Sequence, residues 1–264
     1  VTDLQIIGGG RMGEALLGGL LAAGREPRTI AVVEPVATRR DDLVGRFPGI
    51  GAIAAPLAGV DAVIAVKPHL VVDVAATLAA LDGPPGRVLS IAAGVTLAQI
   101  EAALPAGTSV VRAMPNTPSL VGSGAAAVAP GSSADEDDLS WAESLLVAVG
   151  IAVRVTEAQL DAVTGLSGSG PAYLFLVAEA MTEAGVMLGL PRPMAEALAG
   201  QTIMGAGRML TETDDSAAEL RAAVTSPGGT TAAGLRALED AGVRAALLAA
   251  VEASAHRSAE LSAD

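Results

Sequence analysis

Short apolar runs recur along the first half of the chain, and most are followed by a stretch with helical spacing. The runs are LQIIG (4–8), TIAVVE (29–34), GAIAA (51–55), DAVIAV (61–66), RVLSIAA (87–93), SVVRAM (109–114), AAAVAP (125–130) and IAVRV (151–155). Strands that are apolar at every position, rather than at alternate ones, suit a sheet covered on both faces. With helices between them they predict a mostly parallel sheet. Helices are expected from the first glycine cluster through Ala23, near 36–46, and over 133–150, where Ser133 precedes an acidic first turn. Past Glu157 the strand-like runs stop. The chain becomes rich in Ala and Leu at helical spacing, punctuated by GSGP, GLPRP and SPGG. The expected organisation is α/β over 1–156 and all-α over 157–264, with the boundary near 155–160.

Composition sharpens this picture. Hydrophobic residues make up 51% of the 264. Yet the long uncharged stretches, Ala113–Ala134 and Ala162–Ala178, are broken by Gly, Pro and Ser, so neither reads as a membrane span. The surplus apolarity predicts buried helices or a large subunit interface. A net charge of -13 argues against nucleic acid and anionic membranes as partners. No basic, then apolar leader opens the chain, and there is no cysteine, which together point to the cytoplasm. His69 and His256 lie too far apart in sequence to suggest a metal site.

The first candidate chemistry is IIGGGRMGEALL, which holds Gly8-x-Gly10-x-x-Gly13 between a strand and a helix. Gly8 permits a tight turn, Gly10 leaves room for a pyrophosphate, and Gly13 lets the helix close on the sheet. Arg11 and Met12 open the helix, whose free N–H groups face the phosphates. Glu34 ends the second strand where an acidic residue accepts bonds from the ribose 2′-OH of NAD. Arg39 and Arg40 follow closely and would suit the 2′-phosphate of NADP if the loop turned back. The balance favours NADH and leaves NADPH open.

Three further strings stand at strand ends or open the second half: AVKPHLV (65–71), RAMPNTP (112–118) and DAVTGLSGSGPAYLF (161–175). A fourth, VTSPGGTTAAGL (224–235), has no charge but is dense in glycine and hydroxyls just before a helix. Read alone it is an ordinary capped turn or an anion cradle, since two glycines let backbone N–H groups approach a ligand. Together, and in this order, the strings resemble pyrroline-5-carboxylate reductase over essentially the whole chain. The resemblance implies an N-terminal Rossmann domain and a C-terminal helical oligomerisation domain. It implies reduction of 1-pyrroline-5-carboxylate to L-proline with hydride from NADH or NADPH, in a homodimer that often builds decamers.

The resemblance also places residues. Ser226, Gly229, Thr230 and Thr231 match the loop that holds the substrate carboxylate, with Thr231 the candidate catalytic residue, and Glu157 matches a substrate contact. Val66, Lys67, Pro68, Met114 and Asn116 match cofactor-facing loops. Glu157 also reads as a helix-start carboxylate, Asn116 as a turn cap and His69 as a loop histidine. Tyr173, the only tyrosine, reads better as core than as a proton donor. A 3-hydroxyacid dehydrogenase would need a lysine base past the domain boundary, and Thr156–Gly207 has none. A non-catalytic nicotinamide sensor would not need SPGGTT.

Overall fold

The computed structural model describes residues 1–263. Each of the eight apolar runs forms a strand: β1 Leu4–Ile7, β2 Ile30–Val33, β3 Gly51–Ile53, β4 Asp61–Ile64, β5 Arg87–Ser90, β6 Ser109–Met114, β7 Gly124–Pro130 and β8 Gly150–Arg154. They make one sheet in the order β3-β2-β1-β4-β5-β6-β7-β8. All neighbours are parallel except β6 and β7. The strand order reverses between β1 and β4, and in such sheets ligands bind in the crevice at the carboxyl ends of the strands there.

The central strands β1, β2, β4 and β5 are largely apolar because both faces are covered. Leu4, Ile6, Val63 and Leu89 join one core with Leu16, Leu17 and Leu145. Their neighbours Ile7, Ala62, Ile64 and Val88 point the other way, into a core with Val71, Leu78 and Ile100. Gln5 is the buried exception in β1. Its amide donates to Leu57 O and Val60 O and accepts from Leu57 N–H, each at 2.9 Å, so it ties down the connection into β4 at no hydrogen-bonding loss.

Helices α1 Arg11–Ala22, α2 Ala37–Arg46, α3 Val71–Ala79, α4 Leu97–Ala102 and α5 Glu136–Val147 lie between strands. α5 starts later than expected. Its cap is Asp135 and not Ser133, because it is Asp135 that closes a reciprocal capping box, with Asp138. Asp135 Oδ1 accepts from Asp138 N–H at 3.0 Å, and Asp138 Oδ2 accepts from Asp135 N–H at 3.0 Å. After β8 a short α6, Leu160–Val163, runs into a π-helical turn over Thr164–Gly168.

By packing, the chain divides into two compact units. The first is Val1–Ser169 together with the chain from Ala253 onward, and the second is Gly170–Glu252. The first unit therefore runs past the change in composition near 155–160, since α6 and the π turn pack on the sheet: Leu160 is buried with Ala127 and Ala129 of β7. The second unit holds α7 Gly170–Met187, α8 Arg192–Glu212, α9 Ala217–Ala223, α10 Thr230–Asp240 and the first half of α11 Val243–Ala263. Within it, α7 packs on α8 through Gly185, where an added Cβ would lie 3.1 Å from Ala195 Cβ. Only Thr182, Ala195 and Ala199 are fully buried among its residues. No helix among the described residues is long and apolar enough to cross a membrane.

Candidate active site

The glycine turn after β1 has the geometry that its sequence predicts. Gly8 has φ +112, and a Cβ there would sit 2.7 Å from Ala65 O, so only glycine fits beside β4. Gly13 is buried, and a Cβ on it would fall 2.1 Å from Gly8 O, so α1 can approach the strand only without a side chain there. Gly10 differs from both. It is the N-cap of α1, makes no side-chain cap bond, and has open space where a Cβ would stand. The N–H groups of the first helical turn are thus aimed at an open cradle, which suits a pyrophosphate.

A cavity of about 590 Å³ lies against this turn. Gly8, Gly10, Glu34, Val66 and Lys67 line it, with His69 beside them, so the ends of β1, β2 and β4 converge there. Lys67 is the only lysine of the chain. Arg11 is exposed at the first position of α1, and Met12 packs back onto the core. Glu34 turns its carboxylate toward the glycines: Oε2 accepts from Gly9 N–H at 3.2 Å and Oε1 from Val36 N–H at 3.0 Å.

Other expected residues sit further along the sheet edge. Pro68 lines a second cavity of about 460 Å³ with Gly94, Ser169 and Arg257. Its serines are tied within the first unit, Ser169 to Ser254 at 2.8 Å and Ser258 to Asp161 at 2.7 Å. Asp161 and Ser169 belong to the DAVTGLSGSGPAYLF string, while nothing local marks Ser254 or Ser258. Met114 touches the π turn: a Cβ on Gly168 would lie 2.7 Å from Met114 Cε. The Asn116 side chain is buried and bonded through both its nitrogen and its oxygen. It donates to Ser167 O at 3.0 Å and accepts from Ala125 N–H at 2.9 Å, so it fixes the loop after β6 to β7 and to the π turn.

Glu157 is likewise engaged within the first unit. Its Oε1 accepts from Arg112 at 3.0 Å and from Leu97 N–H, the start of α4, at 2.6 Å. Arg112 is buried in β6, two residues before Met114; it opens the RAMPNTP string, but nothing local marks its pairing with Glu157. Tyr173 belongs to the second unit, where its hydroxyl donates to Ala250 O at 3.3 Å.

The SPGGTT turn is also in the second unit. Gly228 has φ +69, Gly229 N–H donates to Ser226 O at 3.1 Å, and Gly229 becomes the N-cap of α10 without any side-chain cap bond. A Cβ on Gly229 would lie 2.4 Å from Ser226 Oγ, so the glycine leaves the serine hydroxyl its place over the helix end. The first α10 hydrogen bond runs from Ala233 N–H to Gly229 O. The N–H groups of Thr230, Thr231 and Ala232 precede it and face outward beside two threonine hydroxyls. The turn is therefore a donor-rich helix start of the kind that receives an anion, and no serine or threonine side chain is spent on capping it.

Comparison with known proteins now adds to this geometry. Residues 157–261 match the family model for pyrroline-5-carboxylate reductase dimerisation, and 3–94 match that for coenzyme F420-dependent NADP oxidoreductases. The chain is 43% identical to the pyrroline-5-carboxylate reductase of Corynebacterium melassecola, covering 99% of both proteins. It is 45% identical to that of Mycobacterium tuberculosis, covering 99% of this chain and 97% of the relative. Among solved structures it resembles the Coxiella burnetii pyrroline-5-carboxylate reductase, with TM-score 0.93, 38% identity and coverage of 99% and 98%. The Plasmodium falciparum pyrroline carboxylate reductase, solved with NADP bound, matches with TM-score 0.84, 28% identity and the same coverage.

Proposed function

The chain belongs to the pyrroline-5-carboxylate reductase family, and we propose that two helix starts divide its work. It reduces 1-pyrroline-5-carboxylate to L-proline, the last step of proline synthesis, with NADH or NADPH as reductant. The observation that carries the residue assignment is the pair of unfilled donor sets: the α1 start at Gly10 and the α10 start at Gly229.

The Gly8–Gly13 turn holds the cofactor pyrophosphate on backbone N–H groups, with Arg11 and Met12 in the same turn and Glu34 at the ribose. Val66 and Lys67 line the crevice beyond, and Pro68 lines the second cavity. The nicotinamide supplies the hydride that the imine carbon accepts. The chain's own share is placement. Thr230 and Thr231, with the Ser226 hydroxyl and the Gly229 turn, bind the substrate carboxylate and so fix where the imine lies. Thr231 is the contact we expect to matter most. Asn116 and Glu157 act as positioning residues: Asn116 holds the loop of Met114, and Glu157 acts through Arg112. The 224–235 turn contains no acid, so we assign the imine proton to solvent.

In this reading residues 1–156 supply the cofactor site and 157–264 the substrate turn and the contacts between copies. A homodimer is the working form, as the exposed apolar helices of the second unit favour, and the cysteine-free composition suits the cytoplasm.

The test follows loss of near-ultraviolet nicotinamide absorbance with synthetic pyrroline-5-carboxylate, and proline as product. Thr231→Ala should raise KM for the imine about tenfold with cofactor affinity unchanged. A variant that loses cofactor binding and keeps its imine KM would overturn the assignment.

A further inference from the structure

Resting on the nicotinamide reading above, we propose that this chain selects NADH over NADPH, and that Gly9 and Glu34 together make the selection. Glu34 lines the cofactor cavity at the end of β2. Its two oxygens are fixed separately, one by Gly9 N–H and one by Val36 N–H. Each keeps acceptor capacity, so the carboxylate stands as a fixed double acceptor. Ribose hydroxyls donate to such a group. A 2′-phosphate offers no donor there and sets a second anion against the first.

The arginines that follow Glu34 already make bonds within the protein. Arg39 Nε donates to Gly9 O at 2.8 Å, and its other two nitrogens pair with Glu14 and Asp42. Arg40 donates to Glu34 O at 2.7 Å and to Pro35 O at 2.9 Å, bracing the strand end. Arg46 pairs with Glu14. Lys67 follows β4, which lies on the other side of β1 from β2. A phosphate at Glu34 would therefore face the carboxylate, and drawing on Arg39 to offset it would break the pairs with Glu14 and Asp42.

Gly9 stands at a position that the Gly-x-Gly-x-x-Gly spacing leaves free. Within this turn only Gly8 has a positive φ, so backbone conformation does not call for glycine at 9. Space does. A Cβ on Gly9 would lie 3.1 Å from Glu34 Oε2 and 2.8 Å from Leu43 Cδ1. Glycine here keeps open the seat of the carboxylate, which makes Gly9 a positioning residue for Glu34.

The experiment titrates the protein with NADH and with NADPH by calorimetry in the absence of substrate, and separately measures kcat/KM for both. NADH should bind at least about tenfold more tightly than NADPH. Glu34→Gln keeps the shape and removes the charge, and should narrow the gap mainly by tightening NADPH. Gly9→Ala should weaken NADH several-fold and leave NADPH nearly unchanged. Equal or tighter binding of NADPH by the unaltered protein overturns the proposal, as does a Glu34→Gln variant with the original ratio. The expected binding ratio without turnover overturns the reductase assignment and supports this one. Binding of neither cofactor overturns both.

Discussion

Leu89 in β5 and Leu176 in α7 are the same side chain with opposite fates. The first has 0% of its surface exposed and the second 67%. The contrast extends to the two units. Every large side chain that is fully buried lies between Leu4 and Leu160, in the first unit. In α7, Leu174, Phe175, Leu176 and Val177 are all exposed in succession, which places apolar surface around the whole helix. A helix apolar on every side is stable only when covered. The first unit closes on itself through two cores, while the second is an incomplete core whose other half belongs to a second copy.

The strongest way to break that comparison is to charge the helix. Phe175→Asp with Leu176→Asp should dissociate the assembly and abolish turnover, and the far-ultraviolet helical signal should drop. Light scattering reads the mass and calorimetry with NADH reads the first unit. NADH binding should survive, because the glycine turn stands on a core complete in itself. A variant that stays assembled and active would show that the exposed face of α7 is not the covered one.

What was readable in the sequence follows the same division. All eight strands are legible as short, mostly apolar runs, and in β1, β2, β4 and β5 that follows from burial on both faces, a signal that needs only local residues. The glycine turn is legible because its three requirements are spaced within one turn. The rest depends on partners distant in sequence. Glu157 meets Arg112 across 45 residues, and Gly9 meets Glu34 across 25. Neither string shows the pairing. The π turn at Thr164–Gly168 reads locally as a glycine break, yet it carries the Ser167 carbonyl to which Asn116 binds. The end of α11 returns to the first unit, which no change of composition announces.

A smaller effect separates folding from binding inside the first unit. Gly13→Ala drives a Cβ into Gly8 O, a backbone atom that cannot swing away, and should destabilise by about 3 kcal/mol. Gly10→Ala meets nothing within 4 Å and should change stability by less than about 0.5 kcal/mol. It should still weaken NADH binding, since the added methyl occupies the cradle. Urea midpoints and calorimetry on the pair decide this. Equal stability loss in both variants would remove the ground for assigning Gly10 to the pyrophosphate.

The smallest effect compares ion pairs across the two units. Glu14, at the start of α1, has 19% of its side chain exposed and is held by both Arg39 and Arg46. Burial by itself would raise its pKa, but the hydrogen bonds and charges of the two guanidiniums outweigh that and leave it below the ordinary 4.5. A carboxylate depressed in this way contributes stability above its unfolded pKa, and the contribution is lost as pH falls through the folded value. Glu14→Gln should therefore cost up to about 1 kcal/mol at neutral pH. The difference from the unaltered protein should close as the solution is acidified below 4.5. Glu212 in α8 makes the same kind of pair with Arg208, but with 56% and 65% of the two side chains exposed, and water screens it. Glu212→Gln should leave the acid limb of the unfolding curve where it was. A shift of that limb equal to the one at Glu14 would mean that a second copy covers this end of α8 as well as α7, and the covered surface would have to be redrawn to include it.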